Sequence, residues 1–367
     1  MEQVRTFNRH LMAVARDSLG LTQTELASRI GVKQGTISKY EAGLLEPPEE
    51  FVSELAESLG FNPDFFFWAS RPYGMPPFHY RKRKKLGAKA LAKMIAEMNI
   101  RRMHLSVLLR SYDERPNGFI PEIDRDEYRG GHGREFSVED VARYLREYWM
   151  LPDGPVDNVI KLLEDNGGVV IPCNFESDLI DAVSQRIDGM PVLFFVNMNA
   201  PSDRIRWTLC HELGHMVLHT TAFIDDEEME AEADRFAGAF LLPEKDFRRQ
   251  LKKFDLRQIT NLKRHWKVSM QAIAMRAFSL RLITPYQRKM FFIQMGKLQY
   301  RKSEPYEPPK ETPRKVHMMM RHFHSALDYS ISELASAFGI TERKLHEMYD
   351  VRERENGGPS PRLRIVK

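Results

Sequence analysis

Five residues, His211-Glu212-Leu213-Gly214-His215, have the types and spacing that chemistry most often needs. On a helix the two imidazoles stand at i and i+4, one turn apart on one face. That separation lets both rings reach one zinc ion at about 2.0–2.1 Å. Glu212 sits where it can hold a water on the ion. Zinc needs a third protein ligand, and a carboxylate from another helix is the expected one. Glu230-Ala231-Glu232-Ala233-Asp234 begins 15 residues after His215. Glu230 and Asp234 are again i and i+4, so one could bind the ion while the other accepts an imidazole's second N–H. His219 extends the histidine register, but histidines at i, i+4 and i+8 spread along about 12 Å of helix axis, too far for one ion to gather. His219 therefore reads as a supporting or structural residue. Cys210 points about 100° away from His211 around the helix and reads as a buried small residue.

The elements that must position these groups follow from the pattern of the chain. Its 367 residues are 42% hydrophobic and 29% charged, values of a folded protein with two or three domains. Two cysteines exclude a disulfide framework and an all-cysteine zinc site, and they suit a reducing, cytoplasmic setting. No apolar run approaches a membrane span, and Met1–Arg5 lacks a secretory pattern. Residues 1–70 read as a helical unit that ends in an aromatic run and prolines. Residues 71–135 read as a basic helical segment and linker, with twelve bases against three acids over 71–115. That run (Arg81 to Lys85, then Lys89, Lys93, Arg101 and Arg102) could neutralise phosphates. From 136 to 300, β-rich runs at 168–172, 180–187 and 192–197 stand between helical patterns. From 301 to 367 a Pro-rich linker precedes a last helical unit and a Gly/Pro tail. The expected fold class is mainly α with a small β-sheet (α+β).

The residues Arg204 to His215 with His219, then Glu230 to Ala237, Leu241-Leu242-Pro243, Trp266 to Ile273, and Arg276-Ala277 resemble the ImmA/IrrE family of metallopeptidases over about 137–285. The resemblance implies a zincin-like domain with Zn2+ on His211, His215 and Glu230. It implies Glu212 as general base and Asp234 as the residue orienting a histidine, with Glu232 as the alternative metal ligand. It also implies hydrolysis of a specific regulator protein, a repressor or antitoxin-like partner, rather than general digestion. Phe240 departs from the smaller or polar residue common there.

At the amino end, Thr22-Gln23-Thr24-Glu25 fits a capping box. A short apolar face follows, then Gly31, a second helix with Ile37 and Tyr40 inward, and Gly43 as its stop. This run resembles the Cro/cI-like (XRE-type) helix–turn–helix family over about residues 4–68. The resemblance implies a five-helix-type domain whose recognition helix, about 33–42, enters the major groove. Gln34, Thr36, Ser38 and Lys39 would face bases or phosphates, and Gln23 a phosphate. Ten acids against six bases in residues 1–70 is an unusual balance for a DNA reader.

Ser330-Ile331-Ser332-Glu333-Leu334-Ala335-Ser336 repeats the early capping-box pattern, with Gly339 as turn glycine. A second helix–turn–helix is expected, packing or dimerising more readily than touching DNA through Arg343, Lys344 and His346. The function expected from all this is a regulator that binds a double-stranded DNA operator and cleaves a partner protein. A homodimer is a candidate assembly and no membrane partner is expected. The competing reading is a transcriptional regulator whose metal site is sensory or structural, without proteolysis.

Overall fold

The computed structural model describes residues 5–74, 87–112, 116–124, 137–175, 180–219, 225–301 and 303–349. The run Arg81–Lys85, the glycines at 130, 131 and 133, and the Gly357–Pro361 tail lie outside them.

The amino-terminal unit holds helices α1 (Arg9–Ser18), α2 (Gln23–Arg29), α3 (Gln34–Ala42) and α4 (Glu49–Leu59). Its fifth element is a 3-10 turn, Pro63–Phe67, whose Phe65 and Phe66 are buried. The Thr22/Glu25 capping box opens α2, and Gly43 ends α3 at φ 71. A long helix follows, α5 (Ala88–Leu109). Every residue from Met98 to Leu105 in it is buried, so it runs through a core rather than along a surface.

This corrects the basic-arm reading for two of its members. Arg101 bonds the Pro172 carbonyl at 3.0 Å and pairs with Glu97. Arg102 bonds the Arg71 carbonyl at 3.1 Å and Asn99 at 3.2 Å. Both guanidiniums are buried and engaged with these oxygen atoms, so neither stands free on a basic surface.

Two helices, α6 (Val138–Tyr148) and α7 (Val159–Asp165), lead into a three-stranded sheet. Its strands are β1 (Gly168–Cys173), β2 (Ala182–Gln185) and β3 (Val192–Asn197), in the order β1-β3-β2. The three β-rich runs of the sequence thus all become strands. β1 pairs parallel and β2 antiparallel with β3, with Ile171 and Val183 both opposite Phe195. Side chains alternate between faces. Val170, Ala182, Phe194 and Val196 join the core of the following helices. Val169, Ile171, Val183, Leu193 and Phe195 join the core that holds Leu11, Leu55 and Met103 of the amino-terminal half. One sheet therefore serves both cores, which explains why it is hydrophobic on both faces.

After the sheet come α8 (Ser202–Leu218), α9 (Asp226–Leu241), α10 (Glu244–Gln250), α11 (Leu256–Trp266), α12 (Met270–Ser279) and α13 (Pro285–Lys297). Residues 303–314, read as a linker, are an anchored strap. Glu304 accepts from the N–H groups of Met270 and Gln271 at the start of α12, and from the buried Lys263. Glu307 accepts from the Ser202 N–H at the start of α8, and Glu311 from Ile160 N–H in the first turn of α7. Three carboxylates thus satisfy donors at three helix starts, where negative charge is favoured.

The carboxy-terminal helices α14 (Lys315–Ala326), α15 (Ile331–Ala337) and α16 (Glu342–Tyr349) return to the amino-terminal unit. Asn62 N–H donates to the Gly339 carbonyl at 2.9 Å, and Thr341 N–H to that of Gly60 at 3.2 Å. Gly339 has φ 65, and an added Cβ would lie 2.9 Å from the Trp68 ring, so only glycine fits this contact. Lys344 is buried, donating to the Leu59 carbonyl and lying 3.8 Å from the Phe61 ring centre. These contacts pack the unit against the amino-terminal domain and bury Lys344, one of the three side chains named for DNA contact. Among the described residues no helix is long and apolar enough to cross a membrane.

Candidate metal centre

The site is built between α8 and α9, which run side by side. Gly214 permits their approach: a Cβ there would meet the Ala233 backbone at 3.2 Å and Phe236 at 3.1 Å. A glycine between the two histidines thus brings α9 within reach of them. His211, His215 and Glu230 offer donor atoms that all lie within 4.8 Å of one another. His211 Nε2 is 3.1 Å from His215 Nε2, and the Glu230 carboxylate is 3.8 Å from the first and 3.4 Å from the second.

The other ring nitrogens are engaged. His211 Nδ1 lies 2.9 Å from Asp234 Oδ1, and His215 Nδ1 lies 2.9 Å from His219 Nδ1. An Nδ1–H given to Asp234 leaves the His211 Nε2 lone pair facing the cluster, as a metal ligand requires. Two imidazoles and a carboxylate, converging from buried or half-buried positions, form a donor set that suits zinc and leaves one position open. His219 and Glu232 stand behind the cluster, 3.1 Å apart. Glu232 is thus not among the converging donors, which sets aside its reading as the alternative ligand. Burial pushes the Cys210 thiol up to about 12, which keeps it protonated and away from metal chemistry.

Burial opposes a charge on His211, but hydrogen bonds to Asp234 and Glu230 outweigh it and push this imidazole up to about 9, so a metal at Nε2 would take the place of a proton there. Glu212 is wholly buried. Its Oε2 accepts from the Ser184 N–H at 2.9 Å and from the Ser184 hydroxyl at 2.6 Å. Ser184 lies on β2, an edge strand of the sheet, and no motif in the sequence marks it. Its N–H and hydroxyl both converge on one oxygen and fix the carboxylate's position.

Beside Asp234 opens a cavity of about 610 Å³. Trp207, one turn before His211, and Gly238, one turn after Asp234, line it together with Met275 and the cationic Arg235 and Arg301. The walls continue the helix faces that carry the metal donors.

In the amino-terminal unit, Gln23 and Gln34 are tied together. Gln34 Nε2 donates to Gln23 Oε1 at 2.9 Å, and Gln23 Nε2 to Glu41 at 2.8 Å. Arg16 closes the chain on Glu41 at 2.6 Å. Gln34 and Lys39 are exposed on α3, while Thr36 and Ser38 are half-buried.

Residues 163–278 match the family model described as the IrrE N-terminal-like domain, a peptidase family. Residues 13–66 match a helix-turn-helix model. No curated protein matches the chain. The chain joins a helix–turn–helix DNA-binding domain of the XRE type to a peptidase domain of the ImmA/IrrE family.

Proposed function

We propose that the chain is a DNA-binding regulator with a zinc-dependent endopeptidase, and that it cuts another regulator or repressor protein. The observation that carries this reading is the convergence of His211, His215 and Glu230 within 4.8 Å, next to the buried carboxylate of Glu212. Zinc held by His211, His215 and Glu230 would supply Lewis acidity, lowering the pKa of water toward about 7 and polarising a peptide carbonyl. Glu212 handles the proton. Ser184 holds its carboxylate, which takes a proton from the attacking water and returns it to the leaving amine. Asp234 and His219 hold the two ligand rings by their Nδ1 atoms.

The cavity beside Asp234 accommodates the substrate next to the cut bond, offering apolar contact from Trp207 and Met275 and positive charge from Arg235. On DNA, the Gln34–Gln23–Glu41–Arg16 chain orients two amides before contact. Each amide NH2 has two hydrogens, so Gln34 keeps a donor and its oxygen for a base edge. A DNA-binding module and two buried free thiols suit a cytoplasmic setting.

The competing reading, a sensory or structural metal site without cleavage, lacks support in the donor set. A closed structural zinc site takes four protein ligands, and three converge among the described residues. The test is incubation of the purified chain with the regulator encoded beside it, with zinc and with chelator. Discrete fragments with zinc only are expected. An intact regulator in the zinc-loaded sample, with operator binding retained, would favour the competing reading.

A further inference from the structure

Behind His215 lies a buried pair of which the proposed mechanism uses only His219; Glu232 has no role in it. His219 closes α8, and Glu232 sits on α9; both side chains have 0% exposure. Two contacts link the pair to the cluster. Glu232 Oε2 is 3.1 Å from His219 Nε2, His219 Nδ1 is 2.9 Å from His215 Nδ1, and His215 Nε2 belongs to the metal-donor cluster.

The contacts fit one hydrogen pattern. In the tautomer of His215 that offers Nε2 to the cluster, its ring hydrogen sits on Nδ1 and donates to His219 Nδ1, and His219 Nε2–H donates to the Glu232 carboxylate. We infer that Glu232, acting through His219, is a positioning residue for His215, fixing its ring and the tautomer that can bind a metal. This rests on the metal-centre reading proposed above.

The two ligand histidines are thus supported differently. Asp234 contacts His211 directly and its side chain is 62% exposed, whereas Glu232 contacts His215 through a second imidazole with no exposure at all. Water can substitute for Asp234 when it is removed. No water reaches Glu232, so its removal leaves His215 without a fixed tautomer.

The discriminating variant is Glu232→Gln, which keeps the shape and loses the charge. A glutamine can donate to His219 Nε2, move the hydrogen to His219 Nδ1, and so force the proton of His215 onto Nε2, where it blocks the metal. Zinc affinity is measured by competition with a chromophoric chelator on the full chain. Histidine ring tautomers are read by long-range 1H–15N correlation on the metal-free chain. We expect wild type to show His215 protonated at Nδ1. Glu232→Gln should bind zinc about 10–100-fold more weakly and show His215 protonated at Nε2 or exchanging. Unchanged affinity with an unchanged tautomer in a folded variant overturns the inference. If Glu232→Gln does not fold, the double variant Glu232→Leu/His219→Phe removes the buried charge with its partner, a change that cores tolerate better. The same loss of affinity is expected there, and wild-type affinity overturns the relay. A wild-type chain that binds no zinc overturns the metal-centre reading as well, and is recognised because the failure precedes any substitution.

Discussion

Phe195 offers a sharp test of how the two halves of the molecule are joined. It lies mid-strand on β3, opposite both Ile171 and Val183, with 0% exposure, and its ring belongs to the core shared with Leu11 and Leu55. Its neighbour Phe194 is equally buried but belongs to the peptidase-side core. Truncating a buried phenylalanine to alanine costs about 3–5 kcal/mol, because the transfer loss and the cavity add. With an unfolding entropy of about 2 cal/mol/K per residue, a single cooperative unit of this length should lose about 4–6 °C in Tm. Scanning calorimetry of the wild type, Phe194→Ala and Phe195→Ala is the assay. One transition, shifted downward by both variants, is expected from a sheet that serves both cores. Two transitions, with the one that reports the amino-terminal helices unmoved by Phe195→Ala, would refute the shared-sheet reasoning.

Further outcomes follow from individual contacts. Burial lowers Lys344 to about 8, with Glu97 and Glu347 opposing the shift. The unfolded chain therefore holds the extra proton between about pH 8 and 10.4. Stability should rise with pH across that window, relative to Lys344→Met, in denaturant titrations; a constant difference between the two chains would refute it. Replacing Gln34 and Lys39 by Ala should weaken operator binding by about 1–3 kcal/mol per lost base contact, measured by gel shift at fixed salt. Met275→Trp, which fills the cavity beside Asp234, should raise KM for the protein substrate more than it lowers kcat, while zinc content stays the same.

Much of the site is legible in the sequence. The i, i+4 spacing of His211 and His215 and of Glu230 and Asp234 is local, so helical geometry alone brings each pair to one face. The strands were legible from short runs such as Val192 to Val196, and the α2–α3 turn from its capping box and glycines. What was not legible depends on partners far away in sequence. Arg101 and Arg102 look like solvated charge until β1 and Arg71 supply carbonyls to bury them. The 303–314 segment has the prolines and charges of a linker. Its glutamates are structural only because three helices begin beside them. Ser184 carries no motif because its role arises from strand order, which places β2 next to Glu212. The pairing of Glu232 with His219 rather than with the metal donors was equally hidden, since helical spacing says nothing of how far α9 has slid along α8.

In the proposed function, Glu212 moves the proton in a zinc-dependent cleavage of a regulator protein. The most direct measurement sets wild type beside Glu212→Gln, each loaded with zinc and each assayed for metal and for cleavage of the regulator encoded nearby. Both chains should hold about one zinc, the number a single three-donor site takes, and only the wild type should cut. Cleavage by Glu212→Gln at the wild-type rate would contradict the account, as would a zinc-loaded wild type that leaves the regulator whole.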